Sequence, residues 1–162
     1  MDVSMVTVIT VIILIILCVL PIVLINRSSK NKEAKSLSAL KKLAAENQAN
    51  ISEYEIFNNI AIGIDKESRQ LFFIRNAKEQ IRQQIIGLAD FKKCRITEAG
   101  HTAGTVRVIE KLDLAFTPVM PNQKEVTVNI YNTDDDNLTL SGEIQFGEKW
   151  ADQINQVLAV RK

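Results

Sequence analysis

Residues 59–75 read NIAIGIDKESRQLFFIR, and this stretch decides the fold of the chain. Its first half places isoleucine at every second position from 60 to 64. This period of two is the pattern of a strand with one buried face. The charged segment 66–69 predicts a turn, after which QLFFIR (70–75) continues as a second strand. An antiparallel β-hairpin is therefore expected here, within a β-rich domain.

Five more strands are expected on the C-terminal side of this hairpin, because period-two patterns recur between turn signals. They cover 83–87, 92–98, 105–116, 124–132 and 138–146. Residues 76–84 are interpreted mainly as a turn, 88–91 as a corner, 100–104 as a flexible loop and 133–137 as a polar turn. From Gly147 the period returns to 3.6, with one apolar face formed by Trp150, Ile154, Val157 and Leu158. This spacing predicts a C-terminal amphipathic helix.

On the N-terminal side, residues 3–25 (VSMVTVITVIILIILCVLPIVLI) contain no charged residue. A helix of this length reaches roughly 34 Å, which is enough to cross a hydrocarbon core of about 30 Å. The run is too long for a signal peptide, and no small-residue cleavage site closes it. A lipoprotein cysteine at Cys18 is a weaker alternative, because bulky residues precede it. The sequence predicts an uncleaved single-pass transmembrane helix over 3–25.

Residues 27–50 link this run to the β-rich part and carry six Lys/Arg against two Asp/Glu, a net charge of +4. Basic flanks stay in the cytoplasm, so the N-terminus is expected outside and residues 27–162 inside. The linker is expected to be helical, with Leu37, Leu40 and Ala44 in one narrow apolar stripe. A solvated stalk is the favoured interpretation, with a short coiled coil or a helix at the headgroups as alternatives.

Residues 51–162 are expected to form one domain with one core. This domain holds 14 Lys/Arg and 16 Asp/Glu, a net charge of −2. It lacks the dense basic face that nucleic-acid binding needs, so nucleic acid is excluded as a partner. One histidine and two distant cysteines, without a C-x-x-C motif, do not predict a zinc site.

No residue pattern in the chain predicts catalysis, a metal or a cofactor. His101 lies between Gly100 and Thr102 without a local nucleophile or carboxylate, and Cys94 alternates with Ile96 on an expected core face. The aspartates at 134–136 lack the spaced ligands of a calcium loop. A glycine-rich phosphate loop is also absent from the sequence. A non-enzymatic protein is expected.

Seven short strands followed by a helix that opens with Trp150 resemble the pleckstrin-homology-like fold of membrane-anchored bacterial proteins. The stretches 86–96 and 64–74 are similar to strand–corner–strand segments of bacterial members, and the resemblance covers about residues 54–160. It implies two nearly orthogonal sheets in a split barrel, capped at one end by the helix. Family members bind inositol phosphates through a basic first hairpin turn. The turn at 65–69 alternates in sign, so headgroup binding is not expected.

The predicted function is a membrane-tethered adaptor that positions a protein partner at the cytoplasmic face of the membrane. Its candidate surfaces are an exposed strand edge and the groove beside the C-terminal helix. Lys93 and Arg95 share a strand face that suits an acidic peptide, and Trp150 is a third candidate, with a core position as the competing interpretation. The alternative is a lipid- or small-ligand-binding barrel with a cavity among Ile62, Phe72, Val128 and Phe146. Partner identity and oligomeric state stay open.

Overall fold

A computed structural model describes residues 31–77, 80–135 and 140–160 of the chain. Residues 31–46 form a helix, named α1 here. The strands are β1 (Glu53–Phe57), β2 (Ile60–Asp65), β3 (Gln70–Asn76), β4 (Ile81–Gly87), β5 (Phe91–Ala103), β6 (Val106–Pro118) and β7 (Val126–Asn132). A short 3-10 helix, Leu88–Asp90, joins the sheets, and helix α2 covers Glu143–Ala159. Within these ranges, neither helix has the length and apolar character needed to span a bilayer. The predicted anchor over 3–25 lies outside them.

The strands form two antiparallel sheets, one in the order β1-β2-β3-β4 and the other in the order β5-β6-β7. In the described ranges no ladder of hydrogen bonds joins the sheets, so they do not form a closed barrel. Seven antiparallel strands followed by a C-terminal helix confirm the predicted class. The hairpin of β2 and β3 and the corner before β5 are also confirmed.

The identity of one strand differs from the prediction. Strand β1 was missed, because both of its faces are partly covered and its sequence, EYEIF, lacks a clear alternation of burial. The predicted strand over 138–146 is wrong: α2 already begins at Glu143, and residues 140–142 are not in a strand. Residues 136–139 lie outside the described ranges.

The early start of α2 has a local cause. Gly142, at the N-cap, has a positive φ of 100°, which turns the chain into the helix at little steric cost. The carboxylate of Glu143 then accepts hydrogen bonds from the Ser141 backbone N–H and from the Asn58 side chain, at 3.0 Å for Asn58. One turn later, the ring of Phe146 stacks on Phe57 of β1 with centroids 4.9 Å apart. The alternation of apolar residues in LTLSGEIQF does not reveal these contacts, because they involve residues of β1 and the turn after it.

The predicted loop over 100–104 is also wrong, because β5 and β6 continue as one long hairpin to Ala103 and Val106. The register shifts between Ala99 and Gly100. A Cβ at Gly100 would lie 2.0 Å from the Val108 carbonyl oxygen, so only glycine fits this bulge. Gly100, which suggested a loop in the sequence, therefore permits a β-bulge within β5. Likewise, β4 begins at Ile81, inside the predicted 76–84 turn.

The main core lies between the two sheets and under α2. It is built from the inward faces of the strands and the apolar stripe of the helix. Its fully buried members include Ile60, Ile62, Leu71, Leu88, Leu112, Leu114, Phe116, Val128, Trp150 and Ile154. Burial of this set removes the apolar surface that drives folding, at about 25 cal/mol per Å².

A second core lies on the opposite face of the first sheet, where α1 packs. Leu40 and Ala44 are buried against a sheet face that includes Ala61, Phe72 and Ile74. The close approach needs a small residue in β2, because a Cβ at position 63 would lie 3.1 Å from Leu40. The stripe predicted in the linker is real, but the favoured interpretation as a solvated stalk is wrong. This helix is part of the folded domain.

Asp65, at the end of β2, is 4 % exposed and organises the turn that follows. Its carboxylate accepts backbone hydrogen bonds from Asn50 at 2.8 Å, from Glu67 at 2.9 Å and from Ser68 at 3.2 Å. Burial alone would raise the pKa of this carboxyl. The hydrogen bonds from Ser68, Asn50 and Glu67 outweigh burial and lower the pKa below its ordinary value of 3.8.

Replacing Asp65 with Asn is expected to lower the free energy of unfolding by about 1–3 kcal/mol at pH 7. Because the folded-state pKa lies below the unfolded one, the stabilisation is complete above the unfolded pKa of about 3.9 and is lost as the pH falls through the folded value. Urea unfolding of wild type and variant at pH 7 and pH 3 measures this. The difference should shrink at pH 3. A constant difference, or an equal loss in the exposed control Glu67→Gln, would contradict it.

Candidate partner-binding groove beside β5

Helix α2 is attached to the first sheet through Glu55 of β1. The Trp150 indole N–H donates to this carboxylate at 2.7 Å, and the Lys149 ammonium lies 3.0 Å from both of its oxygens. Trp150 itself is 1 % exposed. The structure thus places this predicted site residue in the core, where it positions α2.

The same helix is attached to the second sheet through Asn155. The side-chain amide of Asn155 accepts a hydrogen bond from the Cys94 backbone N–H and donates one to the Cys94 carbonyl, both at 2.8 Å. The amide therefore pairs with the outer edge of β5 as a neighbouring strand would. The Cys94 side chain is buried, which raises the pKa of its thiol to about 12, so it stays protonated at neutral pH.

Next to this contact, the edge of β5 is open. Because the backbone groups of Cys94 point away from β6, the alternation of an antiparallel ladder makes those of Ile96 and Glu98 point outward as well. In the described part of the chain, no other backbone group bonds to either residue outside the ladder. An extended peptide can pair with such an edge.

A groove of about 660 Å³ runs between this edge and α2. Its lining includes Ile96, Glu98, Ile144, Glu148, Asp152 and Asn155. The helix approaches β5 closely at Gly147, where a Cβ would lie 3.2 Å from the end of Ile96. The groove therefore has a partly apolar floor, one wall of strand backbone and one wall of helix side chains.

The free charges of this groove are acidic. The guanidinium of Arg107 lies 3.6 Å from Glu98, whereas Glu148 and Asp152 on α2 form no ion pair within the described residues. Arg95 also borders the groove, but its guanidinium lies 2.8 and 3.0 Å from the two carboxylate oxygens of Glu125. The electrostatics favour a basic ligand over the acidic peptide that the sequence suggested.

Lys93 and Arg95 were predicted to share a strand face, and the structure keeps both exposed on β5. Their register partners are Thr117 and Ala115 of β6. The structure does not bring them together with Trp150, which faces the core. The three candidates do not form a single surface.

His101 lies on β5 and not in a loop, with its Nδ1 2.8 Å from the carboxylate of Glu110 on β6. Both side chains are exposed, at 59 % and 51 %. The two residues are nine positions apart, and the pairing of β5 with β6 brings them together. No group of three or more potential metal ligands occurs in residues 31–77, 80–135 and 140–160.

The charged turn over 65–69 belongs to the second hairpin, because β1 precedes it. The turn of the first hairpin holds Asn58 and Asn59, which carry no charge. In the second turn the cations already have partners in the protein. Lys66 lies 2.5 Å from Glu53, and the Arg69 guanidinium donates to the Val157 carbonyl at 3.4 Å. This arrangement offers no cluster of free cations for a phosphate.

The two residues that attach α2 to the sheets, Asn155 and Glu55, were not identified from the sequence. Each is a single polar residue in an amphipathic or alternating pattern. Asn155 binds Cys94, 61 positions away, and Glu55 binds Trp150, 95 positions away. No short-range signal marks such a pair. No protein-family model matches the chain, and no curated protein or solved structure matches it either.

Proposed function

We propose that this chain is a non-enzymatic adaptor, tethered by a single transmembrane helix, that binds an extended segment of a protein partner at the cytoplasmic face of the membrane. The observation that carries this proposal is the open edge of β5 beside the groove along α2. The order of strands and terminal helix supports the assignment to a pleckstrin-homology-like split barrel, which belongs to the same proposal.

The mode of binding is strand addition. The outward backbone groups of Ile96 and Glu98 hydrogen-bond the incoming segment and supply affinity independent of its sequence. Asn155 occupies the edge at Cys94, so pairing starts after that residue and proceeds toward Glu98. Alternate side chains of the segment then point toward α2, where the lining residues select them.

The chemistry of the partner follows from the charges beside the groove. Glu148 and Asp152 lie four positions apart on α2, and both are exposed. Lys or Arg at the positions of the partner that face α2 would complement them. Complementary charge raises the association rate and the specificity of such a contact. The preferred ligand is an extended peptide with alternating basic residues.

The tether places this groove close to the membrane. The uncharged run ends at Ile25, and α1 is already packed on the first sheet through Leu40 and Ala44. The five residues 26–30 add at most about 3.5 Å each, so little free chain separates the predicted span from the folded domain. The domain is therefore held near the headgroups, where a membrane partner or a recruited cytoplasmic protein is within reach.

The test uses the full chain in its own cells, with a photo-crosslinking amino acid in place of Arg95, which borders the groove but is not one of the carboxylates that select the ligand. We expect a crosslinked partner in the membrane fraction after carbonate washing. Glu98→Pro removes the outward N–H at an edge position where proline is tolerated, and it should reduce the crosslinked product at least tenfold. The matched control Glu98→Ala keeps the N–H and should retain the product.

Two outcomes would refute the proposal. Equal crosslinking in the Pro and Ala variants would show that the β5 backbone does not pair with the partner. Release of the chain by carbonate would show that it is not anchored by a transmembrane helix. Digestion of the domain by protease added outside intact cells would show that the domain faces the outside. Unchanged fluorescence of Trp150 in both variants would confirm that the fold is intact.

The alternative of a ligand-binding barrel receives no specific support. It was expected to need one cavity among Ile62, Phe72, Val128 and Phe146. Phe72 belongs to the second core under α1, whereas the other three belong to the main core. The first sheet separates them, so these four residues do not surround one cavity.

A further inference from the structure

Strand β4, at one edge of the first sheet, is exposed at six of its seven residues. In β1, at the other edge, the Glu55 side chain contacts α2, and the edge of β5 is partly occupied by Asn155. The Gln84 side chain of β4 reaches the Thr127 carbonyl of β7 at 3.5 Å. Along β4 itself, by contrast, only Ile86 is buried.

The direction of the backbone groups of β4 follows from the register. Leu88 N–H donates to the Arg69 carbonyl at 2.8 Å, just beyond the pair of Gln70 with Gly87. Arg69 and Leu88 are therefore a hydrogen-bonded pair. Because such pairs alternate along an antiparallel ladder, the backbone groups of Ile86, Gln84 and Arg82 bond to β3. The N–H and C=O groups of Ile81, Gln83 and Ile85 therefore point away from the sheet. Within the described residues, no backbone hydrogen bond outside the ladder reaches them.

The side chains of this edge are unusual for an unpaired strand. Ile81 is 67 % exposed and Ile85 is 41 % exposed, and Arg82 is the only charged residue in β4. Natural edge strands normally carry several charges, a proline or a bulge, which prevent them from pairing with another chain. The sequence of β4, IRQQIIG, contains no proline and only one charged residue, and its pairing with β3 shows no bulge.

We propose that two copies of this chain associate through β4, paired antiparallel about a two-fold axis at Gln83. In this register Gln83 lies opposite Gln83 of the partner subunit, and Ile81 lies opposite Ile85 of the partner subunit. All three outward-facing residues then occupy hydrogen-bonded positions, and the two four-stranded sheets become one sheet of eight strands.

The sequence of β4 selects this register over its neighbours. Opposed residues of an antiparallel pair share a face, so the isoleucines of both copies gather on the outer face of the joined sheet. A slip of one residue would place the outward-pointing residues of one copy opposite residues whose backbone groups already bond to β3, so no ladder could form. A slip of two residues would unpair one end and separate the isoleucines.

The position of α1 is compatible with this arrangement. The helix covers Ala61, Phe72 and Ile74 on the outer face and leaves Ile81 and Ile85 exposed beside it. Because the two-fold axis is perpendicular to the joined sheet, both copies of α1 lie on the same side. Two predicted anchors can then enter one membrane, where confinement raises the effective concentration of a small contact.

The test is disulfide formation by the full chain in phosphatidylcholine vesicles, with Cys18 replaced by Ser. Hydrogen-bonded antiparallel pairs have Cα atoms about 5.5 Å apart, within the range of a disulfide. Gln83→Cys alone should form a dimer on mild oxidation, at least tenfold more than the exposed control Glu67→Cys. Ile81→Cys and Ile85→Cys should not do so singly but should crosslink when combined in one chain.

A second variant separates pairing from random collision. Adding Ile85→Lys to Gln83→Cys should lower the dimer at least tenfold, with Trp150 fluorescence unchanged. Equal crosslinking at positions 67 and 83, or crosslinking of Ile81→Cys alone, would overturn the proposal. Protection of Ile81→Cys from a water-soluble maleimide without any dimer would also overturn it and would indicate insertion into lipid. Glu98→Pro should leave the dimer intact, so this result is independent of the β5 groove.

Discussion

Replacing Leu40 with Ala should lower the free energy of unfolding by about 2–5 kcal/mol, although this residue lies in what the sequence presents as a linker. Leu40 is completely buried in the second core, and its end approaches the backbone of Gly63. Removal of its side chain leaves a cavity against a sheet that cannot collapse fully. Urea unfolding of the full chain in detergent, followed by Trp150 fluorescence, measures the loss.

The matched control is Lys42→Ala on the exposed side of the same helix. Its ammonium lies 4.0 Å from Glu46 and its side chain is 78 % exposed, so the pair contributes less than about 1 kcal/mol. If Leu40→Ala and Lys42→Ala changed stability equally, by a few tenths of a kcal/mol, then α1 would be a solvated stalk after all. A large loss for Leu40→Ala alone would establish the helix as part of the domain.

Trp150→Ala is expected to be among the most damaging single changes, lowering the free energy of unfolding by about 3–5 kcal/mol. The indole fills the space under α2 beside Phe146 and donates its N–H to Glu55. Trp150→Phe keeps most of the apolar volume but leaves the carboxylate with one donor fewer, at a cost of about 1–3 kcal/mol. Because this is the only tryptophan in the chain, far-UV circular dichroism must report unfolding.

Lys149→Ala is the control for this pair of variants. It removes the exposed partner of the same carboxylate, and a loss below about 1 kcal/mol is expected. Trp150 was proposed from the sequence as a partner-binding residue. If Trp150→Ala left the unfolding curve unchanged but abolished crosslinking from position 95, that role would be correct and the core role wrong.

The parts of the fold that could be predicted from the sequence are those encoded over short distances. The hairpin of β2 and β3 follows from alternation on both sides of a charged turn, and the stripe of α2 follows from a period of 3.6. Where the pattern was ambiguous, the prediction failed: LTLSGEIQF alternates, yet Gly142 and the contact of Phe146 with Phe57 begin a helix inside it. Similarly, Gly100 suggested a loop but allows a bulge in β5.

The candidate sites were less predictable, because they depend on pairs that lie far apart in the chain. Lys93 and Arg95 were found by their spacing, but the partner of Arg95, Glu125, lies just before β7 and changes the charge that a ligand would meet. The Asn155 amide could not be recognised as an edge contact before β5 and α2 were known to be neighbours. The spacing of charged residues in the sequence does not reveal which of them form ion pairs within the protein.

The sequence by itself determined the uncharged run over 3–25, the basic segment after it, the β-rich class and the amphipathic terminal helix, because each is a property of consecutive residues. Only the tertiary structure decided that α1 belongs to the domain, that Trp150 is core, and that the edges of β4 and β5 differ in what covers them. These facts depend on contacts between residues tens of positions apart. The free energy of such contacts comes from burial and pairing in three dimensions, which no local pattern records.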